Sequence, residues 1–455
     1  VSLAGEDRWC GLVVAAGAAV AFDAGALSAA LEGAGEVERR RAATARLPRH
    51  HPERASDALA VLAGCTFAET GAVVAAPTTS LPEAPGGDRQ WDYRFTWLRD
   101  ASLAVSVAAL LGRGDLAAGY LDFVHAMAGS ATVPTGPMTG VRGGEVPAER
   151  LVEGVAGWAG SRPVRTGNAA ADQVQLDALG FVVEAVSVHV QTGGSLDRAT
   201  WELVGAIADR AAGDDTEVSN GIWELREPKA LVDADLGKWL ALDRALWIAR
   251  GWRPLTRRRR WRRARDRLRE RILGAIEDDG LLPQAYGEPG VADAAALLAV
   301  VFGLLDRHDP RAARLVDAVI ARLDAAPFLY RYEPDGSDGL AGREGAFLPA
   351  SWWAVAALAA VGRYDDARRR AGDMCRILPR LLSEEIDPEE LHCLGNVPLV
   401  WSHMEAARTM YLLDAEERRR RTGAAGLWLW RVATFLRMRL RRPPAADPLP
   451  TITPG

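Results

Sequence analysis

WDYRFTWLRDASLAVSVAALLGRGDLAAGYLDFVHAMAG, residues 91–129, holds two apolar runs separated only by GRGD. From residue 101 to 128 the apolar positions recur at helical spacing, and Gly and Asp supply the stop and restart signals. The stretch predicts a helical hairpin. Its first twelve residues, WDYRFTWLRDAS, are too rich in charge and aromatics for a core strand, so they form the approach to the hairpin.

The same pattern continues outward. Helical periodicity runs through 168–191, 197–212, 238–251, 257–276, 290–306, 309–324, 349–361, 363–380 and 399–413, with Gly, Pro, Asp and Asn at the breaks. About a dozen helices joined by alternating short and long connections predict stacked hairpins, and few segments alternate as strands do. The fold class is all-α. The long connections 81–97, 136–167, 214–236, 325–347 and 381–398 concentrate Trp, Arg, Glu, Gly and Pro, and functional residues favour such loops. The first 50 residues are expected to be irregular. The tail from 416 begins EERRRR, continues as GLWLWRVATFLRMRLRR, and is expected to be disordered over 443–455.

Composition limits the function. The chain has 455 residues, 49% of them apolar, with a net charge of −5. An acidic balance gives no electrostatic reason to bind nucleic acid. The arginine run 256–272 is read as a helix whose Trp261, Ala264, Leu268 and Ile272 form one buried face, with the arginines as its solvated remainder. Likewise Trp428, Trp430 and Phe435 are expected to pack on the body of the protein rather than on a membrane. Four cysteines without CxxC spacing fit a reducing compartment, and seven histidines without HExxH indicate no catalytic metal. Residues 11–22 are apolar but follow Glu6 and Asp7, which suits a buried element better than a secretory signal. No apolar run reaches the roughly 20 residues of a membrane span. A cytoplasmic protein is expected.

Several loop residues are candidates for chemistry. Trp97, Arg99 and Asp100 offer an aromatic face for a sugar ring and polar groups for its hydroxyls. The alternative is an Arg99–Asp100 ion pair beside a structurally buried Trp97. Trp223 directly precedes Glu224, apolar cover of the kind that keeps a carboxyl protonated near neutral pH. A surface glutamate beside a half-buried tryptophan is the competing reading. Glu384, in LLSEEIDPEE, is placed to take a proton from water, with Trp401 over the same pocket; an acidic turn is otherwise simply solvated. Arg162 and Arg165, with Asn168 at a helix cap, and Arg343 with Glu344 on a Gly-flanked loop, are further candidates.

The order of these segments is itself informative. APTTSLPE, GG, WDYRFTWLRDAS, GSRPVRTGNAAADQVQLD, GIWELR and KWLALDRAL are followed by LPQAYG, YRYEPDGSDGLAGREGAF, LLSEEIDP and LGNVPLVWSH. From about residue 55 to 413 the chain resembles glycoside hydrolase family 15, the glucoamylase and bacterial trehalase family. The resemblance implies an (α/α)6 barrel over 53–415, after an N-terminal remnant (1–52) and before a basic C-terminal helix and tail (416–455). It implies Glu224 as general acid and Glu384 as general base of an inverting, exo-acting α-glucoside hydrolase. Trp97, Arg99 and Asp100 fall on positions that hold the non-reducing-end glucose. Trp223 and Trp401 resemble pocket walls, and Arg343 the arginine that fixes sugar hydroxyls. An inverting pair stands roughly 6.5–9.5 Å apart to admit a water. No cofactor is implied, and the implied partner is a small or oligomeric α-glucoside.

Two departures qualify the resemblance. Bacterial members carry a β-sandwich before the barrel, whereas about 50 residues precede it here. Glucoamylases often place a second acid after the catalytic one, whereas Leu225 follows Glu224; this tilts the expectation toward trehalose. A non-hydrolytic, carbohydrate- or partner-binding toroid is the alternative from another class.

Overall fold

The computed structural model describes residues 24–128, 136–213, 217–254, 258–334 and 344–440. The apolar stretch 11–22, the tail 443–455 and Arg343 lie outside the described residues. The chain divides into two compact units, Val1–Ala45 with Arg442–Gly455, and Arg46–Arg441. In the first, Ala24–Thr44 forms helix α1, with an Arg39–Glu36 ion pair at 2.8 Å along one face. The expected irregularity of the first 50 residues is thus corrected: a segment rich in Ala, Leu, Glu and Arg has enough intrinsic propensity to be helical.

The second unit alternates outer and inner helices along the chain. Outer α2 (Pro52–Gly64) leads to inner α3 (Leu98–Leu110), then outer α4 (Gly114–Ala128) and inner α5 (Ala178–Gln191). Outer α6 (Arg198–Ala211), inner α7 (Val232–Trp252), outer α8 (Arg259–Gly274) and inner α9 (Leu298–Val301) follow. Outer α10 (Pro310–Leu323), inner α11 (Leu348–Ala360), outer α12 (Tyr364–Ile377) and inner α13 (Val400–Leu440) complete the set.

Burial explains the sorting. Every residue of α3 from Leu98 to Ala109, and of α11 from Leu348 to Ala359, is buried, and a helix apolar all round belongs in the interior. The outer α8, α10 and α12 bury one stripe each. In α8 that stripe is Trp261, Ala264, Leu268 and Ile272, as expected from the sequence, and the arginines face outward.

The inner helices close a ring. α3 packs on α5, α5 on α7, α7 on the 3₁₀ turn Ala294–Leu297 that leads into α9, α9 on α11, α11 on α13, and α13 back on α3. This is an (α/α)6 toroid. α5 and α7 cross in close contact: a Cβ on Gly180 would lie 2.5 Å from the Gly237 carbonyl oxygen, and one on Gly237 2.4 Å from Asp177 Cα.

Three helices depart from expectation. α5 starts at Ala178 rather than near 168, because Asn168 caps only a 3₁₀ turn, Ala169–Asp172. α9 is a single turn rather than a helix across 290–306. α13 runs past its expected end, and Gly423 (φ 71°, ψ −179°) breaks its helical course. The chain doubles back there, since Trp430 stacks near Tyr411 with ring centroids 5.8 Å apart. Trp430 therefore packs on the body as expected, but Trp428 is 63% exposed. No helix among the described residues is long and apolar enough to cross a membrane.

The long connections gather at the end of the ring where the inner helices begin. Short antiparallel ladders pin them: Thr96–Trp97 with Met138–Thr139, and Ala346–Phe347 with Glu385–Ile386, which pairs in turn with Cys393–Leu394.

Candidate active site

A cavity of about 1140 Å³ opens at this end. Its walls come from the connections that lead into the inner helices and from the starts of some of those helices: Trp97, Arg99 and Asp100, Gln173, Glu224, Gln284, Arg331 and Phe347, and Glu384 with Trp401. The N-terminal ends of α3, α11 and α13 reach it directly, and their dipoles favour negative charge.

Glu224 sits in a loop closed by the backbone pairing of Ser219 with Lys229 and by Leu225 N–H donating to Asn220 O at 2.8 Å. Its φ is +59°, a left-handed conformation that a glutamate rarely adopts and that the surrounding loop enforces. The Gln173 amide donates to the Glu224 carbonyl at 3.1 Å. Two donors converge on one carboxylate oxygen: Trp97 Nε1–H donates to Oε1 at 2.7 Å and Arg99 Nη2–H at 3.1 Å. Trp97 is itself 2% exposed.

Arg99 also pairs with Asp100 (2.8 Å), donates to Gln175 Oε1 (3.1 Å) and lies over the Trp401 ring at 5.0 Å. The ion pair and the buried Trp97 of the alternative reading are both present, and all three residues line the cavity. Burial raises the Asp100 carboxyl against the downward pull of Arg99.

Glu384 is buried, and its Oε1 accepts the Tyr93 hydroxyl at 2.8 Å. Burial raises its carboxyl above the usual range, opposed by Arg331 and by the hydrogen bond from Tyr93. The Tyr93 hydroxyl, itself pushed well up by burial and by Glu384, stays a neutral donor. Tyr93 meets Trp97 edge-on at 5.6 Å, so a short chain of contacts, Glu384–Tyr93–Trp97–Glu224, joins the two carboxyls.

Trp223 does not supply its hydrogen bond to Glu224. Its Nε1–H donates to Asp293 at 2.8 Å, and its ring lies against Phe347, Trp353 and Trp401. Asp293 also accepts Ala295 N–H at the start of the turn into α9, and burial pushes its carboxyl up to about 6. The group wrapping the Glu224 carboxyl is instead Trp97, well before it in sequence.

Of the weaker candidates, Arg165 and Asn168 line the cavity and Arg162 does not. Arg165 pairs with Glu149 at 2.5 Å. Glu344 is buried between Arg331 and Arg89. Sequence reasoning missed Tyr93, Glu83, Arg331 and Phe347. All four lay inside segments already singled out, but each is identified only by what it faces. The described residues that come together with metal-ligand spacing are His50, Asp414 and Glu417. None of them lines the cavity, and His50 Nε2 already shares a hydrogen bond with the Tyr364 hydroxyl.

Comparison with known proteins agrees with this arrangement. The model of glycosyl hydrolases family 15 matches residues 57–373. A trehalase of Mycolicibacterium smegmatis is 34% identical over 382 residues, 81% of this chain and 56% of its own length. A trehalase of Thermoplasma volcanium is 32% identical over 355 residues, 76% of this chain and 56% of its own. The chain thus spans about half the length of these relatives. Among solved structures, a glycosidase in complex with glucose aligns at TM-score 0.59 and 20% identity, over 87% of this chain and 99% of that one. A bacterial glucoamylase complexed with acarbose aligns at 0.61 and 16%, over 79% and 56%; at such identities the likeness speaks for the fold. With the alternating toroid, the cavity at its inner-helix N-termini and the match across most of its length, this chain belongs to glycosyl hydrolase family 15.

Proposed function

We propose that the chain is an inverting α-glucoside hydrolase acting on trehalose, with Glu224 as general acid and Glu384 as general base. The observation that carries this reading is that two carboxyls, from loops 160 positions apart, reach one cavity, each held by its own donors. Both donors to Glu224 fall on Oε1. Its other oxygen, carrying the proton, protonates the glycosidic oxygen as the bond to C1 breaks. Glu384 takes a proton from a water whose oxygen bonds C1 from the opposite face, giving β-glucose. Asp100 adds negative charge beside the oxocarbenium-like transition state, and the aromatic wall of Trp223 and Trp401 suits the apolar face of a pyranose.

The trehalase relatives favour a disaccharide. Leu225 supports the same preference: it packs toward the apolar cluster of Leu176, Leu231, Ala234 and Ala285, where a second acid would have to bury its charge. The test is glucose release from trehalose, maltose, maltotriose, isomaltose and soluble starch, with the first-formed anomer read by proton NMR and Glu384→Gln as the blank. Trehalose cleavage giving β-glucose is expected, with Glu224→Gln slower by about 10²–10⁴-fold. A preference for maltotriose or starch would change the substrate assignment, and a folded protein that releases no glucose from any of the five would sink the reading.

A further inference from the structure

Behind Glu384 lies a second group of acids that the hydrolytic roles do not use. Glu83, Glu344 and Glu385 are all buried, as is Glu384, and among the described residues the cations facing the three are Arg331 and Arg89. Among the described residues four largely buried carboxyls then face two guanidiniums, an imbalance of negative charge that favours retention of a proton.

The hydrogen bonds indicate where it sits. Glu344 is paired with both arginines. Glu385 Oε2 accepts the Gly345 backbone N–H at 2.9 Å, and Glu384 Oε1 accepts Tyr93. Glu83 has only Arg331 at 3.6 Å, and no N–H or O–H donor reaches its Oε2 among the described residues. Glu384 Oε2 likewise receives no N–H or O–H donor among the described residues. A methyl on Gly395 would meet Glu384 Oε2 at 3.1 Å and Glu83 Cγ at 3.3 Å, so the two side chains converge on the same point. The loops that carry them are tied there by Gly395 N–H donating to Pro82 O at 2.9 Å. Two carboxyls can hydrogen-bond only when one of them keeps its proton.

We propose that Glu83 is a proton-bearing positioning residue, which stays un-ionised and donates its hydrogen bond to the carboxylate of Glu384. With Tyr93 on Oε1 and Glu83 on the other side, Glu384 is held ionised and fixed in rotation. Burial and the neighbouring Glu384 and Glu385 act in the same sense, raising the Glu83 carboxyl well above the usual range against Arg331. The kinetic part of this inference rests on Glu384 being the base; the location of the proton does not.

The test uses Glu83→Gln, which keeps a donor but cannot ionise, and Glu83→Leu, which removes it. An infrared difference spectrum of the wild type minus Glu83→Gln near pH 7 should contain the C=O stretch of an un-ionised carboxylic acid. A carboxylate stretch in its place overturns the proposal, whether or not the protein hydrolyses anything. In pH profiles of kcat/KM, Glu83→Gln should leave the acidic limb in place. Glu83→Leu should move it up by about one unit, the size of one hydrogen bond to a charged group. A limb displaced downward in Glu83→Gln would mean that Glu83 is ionised and repels the base, and an unmoved limb in a folded Glu83→Leu would leave it no positioning role; either refutes the idea. If Glu83→Leu does not fold, the infrared band and the Glu83→Gln profile decide.

Discussion

The two acids of the cavity are held in contrasting ways. Glu224 is gripped on one oxygen by an indole and a guanidinium, whereas Glu384 is sunk in a cluster of like charge and relies on neutral donors. The pH consequence follows for Glu384. A base works only when ionised, and burial raises this carboxyl, so activity should fall away on acidification above the pH at which a free glutamate titrates. Replacing Tyr93 with Phe removes a donor to the ionised form, which must push the carboxyl higher still. The acidic limb of kcat/KM should then move up by about one unit, with activity below it reduced roughly tenfold; an unshifted limb would deny the hydroxyl this role. At this scale the sequence was legible as to which residues line the cavity wherever a motif named its own residue, as for Trp97, Arg99, Asp100, Glu224 and Glu384. It was silent where the role is set by what another loop brings near. Trp223 is adjacent to Glu224 along the chain, yet it serves Asp293, because a left-handed Glu224 turns its carboxyl away toward Trp97.

Among the elements, amphipathicity separated helices well because it records burial. The buried face of the outer α8 was predicted residue for residue, since four apolar positions among arginines leave one choice of face. The inner helices give no such contrast, so their ends were misplaced, most at α5 and α9. What positions α5 and α7 is an absence of side chain: Gly180 and Gly237 allow one backbone to rest on the other. Gly237→Ala keeps a good helix former but needs space where Asp177 Cα already stands. It should destabilise the protein by about 1–3 kcal/mol in urea unfolding, as overpacking does. A neutral or stabilising result would show that the two helices can part freely.

For the second unit as a whole, every described residue that lines the cavity lies at or before Trp401. The limb of α13 beyond Gly423 holds on through Trp430 on Tyr411, and through Arg439 donating to Val190 O at 3.1 Å, while Leu429, Leu436 and Leu440 stay exposed. A chain ending at Arg421 should keep its glucose release and lose about 2–4 °C in thermal midpoint; loss of catalysis in a folded truncated protein would show that the limb reaches the site. Closure of the ring has its own consequence during synthesis. The last inner helix is a neighbour of the first, so the seam between α13 and α3 joins parts of the chain some 300 residues apart. A ribosome working from the N-terminus must expose the hydrophobic flank of α3 until α13 emerges, about 15–60 s later at usual rates of elongation. During that interval the nascent chain is an open arc with an unsatisfied edge, and it is then that a holdase would have most to protect.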